Sequence, residues 1–308
     1  MTRKKHHVVG VGIGISIIGS GVVGQATGIG LCMHGHDLVF FDIDKRRLED
    51  LRERGYTTAE TLYEAVERSN ISMISVPTPT VDKRIDLSYV KAAVEEVAKA
   101  LKQKKTYHLV VIRSTVLPYT TRHVVIPILE KQSGLRAGKD FGLCMNPEFL
   151  REAYALADFL NPPMIVIGEY DKRSGDILEA VYSGFQAEVI RTTLENAEVI
   201  KYATNIFNAT KISFFNEMYM ICQSLNLDHN LITKVLPKSA LGLRLPEWGS
   251  KGGWPFGGKC LPKDLDAMIS FSKEHNINPK LFEAVAAVNE DIVSFGKEHF
   301  REGHRVNE

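Results

Sequence analysis

Ile15-Ser16-Ile17-Ile18-Gly19-Ser20-Gly21-Val22-Val23-Gly24 decides how the 308-residue chain is read. A short β-branched strand, Ile15 to Ile18, enters a Gly-x-Gly-x-x-Gly turn, and a helical stretch follows it to His34-Gly35-His36. In such a turn the first glycine permits the tight bend, the second lets backbone approach a pyrophosphate, and the third lets helix pack on strand. The helix start then offers free N–H groups to phosphate. Eighteen residues after Gly24, Asp42 closes a second apolar run, Asp37-Leu38-Val39-Phe40-Phe41, where a carboxylate can accept hydrogen bonds from ribose hydroxyls. The pattern points to a bound dinucleotide. Asp42 would repel a 2′-phosphate and so favours NAD, although Lys45, Arg46 and Arg47 nearby leave NADP open.

Around this turn, Val8 to Met33 carries no charge and follows Arg3-Lys4-Lys5, which superficially suggests a leader or a membrane span. Glycine supplies 8 of those 26 residues, each costing about 1 kcal/mol against Ala in a helix, so the strand-turn-helix reading prevails. With no export signal read, the cytoplasm is the expected location, and no membrane partner is expected.

Further outward, a charged helix is expected from Lys45 to Arg54, and strands at Ile71 to Val76, Leu109 to Ile112, Phe141 to Met145 and Met164 to Ile167. Helices near Ser88 to Lys102 and Thr121 to Gln132 separate several of them. This alternation predicts a Rossmann-type, doubly wound parallel α/β sheet over residues 1–194. From Glu195 to Leu225 helical periodicity runs without Gly or Pro, followed by shorter helices near His229 to Leu236, Pro262 to His275 and Pro279 to Phe300. Residues 195–308 are therefore expected to form a mostly helical second domain.

Composition narrows the function. With 38 Lys plus Arg against 37 Asp plus Glu, the net charge of +1 leaves no broad footprint for nucleic acid. Cys32, Cys144, Cys222 and Cys260 form no C-x-x-C pair, which suits a reducing compartment and no metal site. Cys32, Cys144 and Cys222 fall in apolar periodic segments and read as core. Cys32, His34 and His36 alternate like ligands but straddle a helix end, where side chains diverge; no metal is expected.

Three pairs stand at helical spacing. Cys260 and Asp264 lie in Gly257-Gly258-Lys259-Cys260-Leu261-Pro262-Lys263-Asp264, a glycine turn entering a helix. The helix start and neighbouring lysines favour thiolate, making Cys260 a candidate nucleophile and Asp264 a candidate base; the alternative is an inert cysteine with Asp264 as cap. Glu148 and Glu152 follow the Phe141 to Met145 strand, either as functional acids or as a solvated helix start. Lys201 and Asn205 share a face of the long helix, as an oxyanion stabiliser or as a snorkelling lysine.

These elements, in this order, resemble the UDP-glucose/GDP-mannose dehydrogenase family. The match runs through Gly19 to Gly24, Asp42, Ser75-Val76-Pro77-Thr78-Pro79, Arg113-Ser114-Thr115-Val116-Leu117-Pro118, Asn146 to Glu152, Lys201 to Asn205, and Gly257 to Asp264. The resemblance implies NAD-dependent, four-electron oxidation of a nucleotide-sugar primary alcohol to a carboxylate, through a Cys260 thiohemiacetal and thioester. It implies that Asp264 and Thr115 place water, that Glu148 and Glu152 assist proton transfer, and that Lys201 with Asn205 steadies an oxyanion. Gly19, Gly21, Val22, Val23, Gly24, Asp42, Thr78, Ser114 and Lys263 would face NAD, and Phe149, Leu150, Arg244 and Gly257 the substrate. Arg244, 16 residues before Cys260, matches an arginine that in the family reaches the neighbouring subunit's site, which implies a homodimer through the helical domain.

The chain departs from the family pattern in several places. Family members usually carry a third, carboxy-terminal domain, which this chain, ending at Glu308, is expected to lack through truncation or as a short relative. Tyr119 and Ala153 stand where the family has glycine, and Trp254-Pro255 stiffens the loop before Phe256. Each adds bulk near the expected substrate cleft. A short relative acting on another primary alcohol, a two-electron dehydrogenase and a catalytically silent NAD-binding subunit are the competing readings.

Overall fold

β-Branched runs with no polar face belong in the middle of a sheet covered on both sides, and the computed structural model places them there. It describes residues 12–245, 248–250, 255–257 and 261–299. The chain divides into two compact units, Met1–Thr204 and Asn205–Glu308.

The first unit contains β1 (Gly14–Ile18), α1 (Val22–Met33), β2 (Asp37–Phe41), α2 (Lys45–Glu53), α3 (Leu62–Glu67), β3 (Ile71–Ile74), the hairpin β4 (Thr80–Val81) and β5 (Arg84–Ile85), and α4 (Ser88–Gln103). It continues with β6 (Leu109–Ile112), a π-helical turn at Thr121–Val125, α5 (Ile126–Ser133), β7 (Gly142–Met145), α6 (Ala155–Leu160), β8 (Met164–Glu169), α7 (Lys172–Val181) and β9 (Glu188–Thr193). Seven strands pair in the order β2-β1-β3-β6-β7-β8-β9. The expected parallel sheet is present with one exception, since β8 runs antiparallel to β7 through Cys144–Glu169 and Met145–Gly168.

Period-two alternation divides each central strand between two cores. Val110 and Ile112 of β6 join Val94, Val97 and Leu101 of α4 on one face, while Leu109 and Val111 join Leu31 of α1 and Leu178 of α7 on the other. Cys144 and Cys222 are buried as expected, but Cys32 is exposed. It sits in the last turn of α1, past the part of the helix that the sheet covers.

One polar chain crosses this interior. Ser69 Oγ donates to Ser16 Oγ at 3.0 Å, Ser16 Oγ shares a 2.7 Å bond with Ser72 Oγ, and Ser72 Oγ shares one of 2.8 Å with His108 Nε2. Burial, with Lys104 adding to it, pulls the His108 pKa down to about 3. The unfolded chain therefore takes up this proton first, near pH 6.5. His108 contributes stability that is full above that pH and is lost as pH falls toward 3, at up to about 1.4 kcal/mol per pH unit. Urea unfolding between pH 7 and 4 is expected to show this slope, and His108→Gln to flatten it.

The second unit is helical. It contains the rest of α8 (Leu194–Ser224), α9 (His229–Ser239), α10 (Leu241–Arg244), α11 (Leu261–Glu274) and α12 (Lys280–His299). Buried Glu217 of α8 accepts the backbone N–H groups of Leu281 and Phe282 at 3.0 and 3.1 Å, satisfying orphan donors at the start of α12. Asn289 holds Phe256 by two backbone bonds, from Phe256 N at 2.8 Å and to Phe256 O at 3.1 Å. Among the described residues no helix is long and apolar enough to cross a membrane.

Candidate active site

A cleft of about 1000 Å³ opens over the carboxyl ends of β1, β3 and β6. At its floor Gly19 adopts φ +94°, and a Cβ there would stand 2.7 Å from the Ser75 carbonyl oxygen. A Cβ on Gly24 would collide with the Gly19 carbonyl oxygen, so this turn admits no side chain at either position. Gly21 has only the Arg47 side chain nearby, leaving room for a ligand. The first turn of α1 has no side-chain cap and no acid, so its N–H groups stand free to meet an anion. Gly19, Gly21, Val22 and Val23 line the cleft, and Gly24 lies buried beneath it.

Asp42 is fixed at the cleft edge. Its Oδ2 accepts from Ser20 N at 2.7 Å and from Arg47 Nη1 at 3.3 Å, and its Oδ1 accepts from Asp44 N at 2.8 Å. Of the basic trio, Arg46 turns outward to pair with Asp44, while Arg47 lines the cleft. Sequence proximity could not separate the two; the helical direction of α2 does.

Loops after β3 and β6 tie the other side together. Thr78 Oγ1 donates to Thr115 O at 2.8 Å, and Ser114 Oγ to Val76 O at 2.7 Å. Thr78, Ser114 and Thr115 all line the cleft, with the Thr78 and Ser114 hydroxyl protons already engaged. Tyr119 adopts a left-handed φ of +68° and stacks on His123 at 5.3 Å between ring centroids.

Glu148 and Glu152 both line the cleft, but not on a shared helix. The segment from Asn146 to Arg151 is irregular and Glu152 opens a 3₁₀ turn. Glu148 is the more enclosed member of the pair. Lys201 Nζ donates to its Oε1 and to its carbonyl oxygen, both at 2.7 Å, and Leu150 N donates to its Oε2 at 2.7 Å. The Lys201 and Glu148 side chains are only 6% and 11% exposed, so Lys201 is a paired interior cation and not a snorkelling one. Its ammonium also lies 5.8 Å from the Phe149 ring centroid, and Leu150 lines the cleft.

On α8 two further acids escaped sequence reasoning. Glu198, fully buried, accepts from Thr121 N at 2.7 Å, and Glu195 binds Arg122. Burial pushes the Glu198 carboxyl above the usual carboxylate range, whereas Arg122 holds that of Glu195 below it. No motif marks them, since their partners lie 77 and 73 residues away.

Asn205 follows Lys201 one turn later on α8 and is exposed. In the second unit Lys263 and Asp264 share the first turn of α11, 2.5 Å apart and exposed, Arg244 ends α10, and Gly257 is partly buried. Cys260 lies outside the described residues. Among those described, no three His, Cys, Asp or Glu side chains gather as metal ligands.

A mostly parallel sheet, an uncapped glycine turn and a fixed carboxylate just after the second strand define a dinucleotide-binding protein. Comparison makes the class specific. Residues 52–186 match the NAD binding domain, and residues 195–291 the central domain, of the UDP-glucose/GDP-mannose dehydrogenase family. The chain is 38% identical over 296 residues to a GDP-mannose 6-dehydrogenase of Pseudomonas savastanoi pv. phaseolicola, covering 89% of this chain and 67% of that one. It is 35% identical over 300 residues to a UDP-glucose 6-dehydrogenase of Haloferax volcanii, covering 90% and 69%. A ternary complex of GDP-mannose dehydrogenase from Pseudomonas aeruginosa superimposes with a TM-score of 0.87 at 34% identity, covering 94% of this chain and 72% of that one. The chain belongs to the UDP-glucose/GDP-mannose dehydrogenase family and is an NAD-dependent oxidoreductase acting on CH–OH.

Proposed function

We propose that the chain oxidises the primary alcohol of a nucleotide-linked sugar to a carboxylate in two NAD-dependent steps, with Cys260 as covalent nucleophile. The observation that carries this reading is the buried Lys201–Glu148 pair, where a cation and a carboxylate meet at the NAD cleft. The relatives named as GDP-mannose and UDP-glucose 6-dehydrogenases support the substrate class.

The cleft residues divide the work. The free α1 amides with Asp42 would hold and orient NAD, which when bound would take up the hydride of each oxidation. The alcohol loses a hydride and a proton to become an aldehyde, and the Cys260 sulfur adds to the carbonyl carbon. Lys201 and Asn205 steady the oxygen that takes up the electron pair. Loss of a second hydride leaves a thioester, and water, placed by Thr115 and Asp264, attacks it. Glu148 and Glu152 move protons. The sum is RCH₂OH + 2 NAD⁺ + H₂O → RCOO⁻ + 2 NADH + 3 H⁺. Covalent capture keeps the aldehyde in place while the cofactor exchanges.

Phe149, Leu150 and Gly257 would shape the substrate site, Lys263 would reach toward NAD, and Arg244 toward the neighbouring subunit's substrate. A homodimer through residues 195–308 is part of the proposal. Exposed Ile206 and Phe207, adjacent on α8 and each more than 60% accessible, supply apolar surface for it. We place the chain in the cytoplasm, because Cys32, Cys144 and Cys222 are free thiols.

The test is the molar yield of NADH from limiting nucleotide sugar with excess NAD. Two equivalents are expected. One equivalent with a recovered carbonyl compound would overturn the thioester route.

A further inference from the structure

Arg113, at the carboxyl end of β6, is only 4% exposed, and its hydrogen-bond partners are neutral. Among the described residues no carboxylate stands within ion-pair distance of it, and its Nε is buried without a partner. A buried cation offset only by neutral dipoles and by the Phe159 ring, 5.8 Å from its guanidinium carbon, is costly, so a fold keeps one where it serves something beyond packing.

What Arg113 holds is one amide. Its Nη1 donates to Asn146 Oδ1 and, at 3.1 Å, to the Tyr182 hydroxyl, which itself donates to the same Asn146 Oδ1 at 2.6 Å. Asn146 Nδ2 donates to Val166 O at 2.7 Å, and its backbone N–H to Ile112 O at 2.9 Å. Asn146 is thus tied to β6, to β8 and to the residue that follows α7. Next comes Pro147, whose fixed φ and restriction of its predecessor pass this orientation stiffly along the chain. The residue after it is Glu148.

We infer that Arg113 and Tyr182 are positioning residues for the reaction: they clamp Asn146 and so set the Pro147–Glu148 segment that offers its carboxylate to Lys201. Tyr182 belongs to no motif of the site, lies 3% exposed behind the loop, and does not line the NAD cleft. Its hydroxyl acts on the chemistry only through Asn146. The inference rests on the reading of Glu148 as part of the reactive site, and the experiment separates the two.

The experiment is a double-mutant cycle on the full chain with Tyr182→Phe and Glu148→Gln, read as kcat and the KM for NAD. Tyr182→Phe is expected to lower kcat about tenfold with KM for NAD within about twofold, since Tyr182 does not line the cleft that Asp42 and the α1 amides border. In the Glu148→Gln background the same change is expected to cost less than about twofold, because the group being positioned is gone. A wild-type kcat for Tyr182→Phe, or a full tenfold loss in both backgrounds, overturns the clamp while leaving the functional reading intact. A wild-type rate for Glu148→Gln overturns the functional reading instead. If Tyr182→Phe does not fold, Arg113→Lys enters the same cycle, with the same non-additivity expected and independent losses overturning the proposal.

Discussion

Cys260→Ser is expected to lower carboxylate formation by about 10³-fold or more while leaving NAD binding unchanged. The argument is chemical. A serine hydroxyl is almost wholly protonated at neutral pH, whereas a cysteine thiol is a few per cent thiolate and intrinsically far more nucleophilic. Serine also forms an oxygen ester in place of a thioester, and a less reactive acyl group slows the hydrolysis that ends the cycle. Quench-flow measurement of NADH, with mass spectrometry of the protein, checks both steps. Wild-type yield and rate from the serine variant would remove Cys260 from the mechanism and leave the four-electron oxidation to proceed without a thioester.

Much of the first unit is legible because its central strands are buried on both faces. Ile71–Ile74 and Leu109–Ile112 contain almost nothing but apolar residues, and such runs have one plausible location. β9 was not legible. Its sequence, Glu-Val-Ile-Arg-Thr-Thr, is only half buried at the sheet edge, so no apolar run announces it. Nor does any local signal give strand direction, which is why the antiparallel β8 could not be foreseen.

In the site, the glycine turn and Asp42 were legible because each residue's role follows from backbone geometry within one βα unit. The i, i+4 spacing of Glu148 and Glu152 suggests a shared helix face, whereas Asn146 to Arg151 is irregular and Glu152 opens a 3₁₀ turn; both residues line the cleft. The pairing of Lys201 with Glu148 spans 53 residues, and that of Arg113 with Asn146 spans 33. Contacts of this range arise from topology and leave no trace in local pattern. A lysine on an apolar helix face reads the same whether its partner is water or a buried carboxylate.

Lys201→Met is expected to produce the largest combined loss of stability and activity among the cleft residues. Met preserves most of the side-chain volume but removes both donors to Glu148, leaving a largely buried carboxylate with only the Leu150 amide. Breaking a buried pair from one side costs about 3–5 kcal/mol, because the remaining charge is desolvated without compensation. Glu198, one turn earlier on the same helix, is itself buried and raised in pKa, so it offers no relief. Activity should fall about 10²–10³-fold if the ammonium also steadies the reacting oxygen. The double variant Lys201→Met/Glu148→Gln separates the two effects. A neutral amide no longer needs the cation, so thermal stability is expected to return toward wild type while turnover stays lost. Turnover recovered together with stability would remove both Lys201 and Glu148 from the chemistry and leave them a structural ion pair.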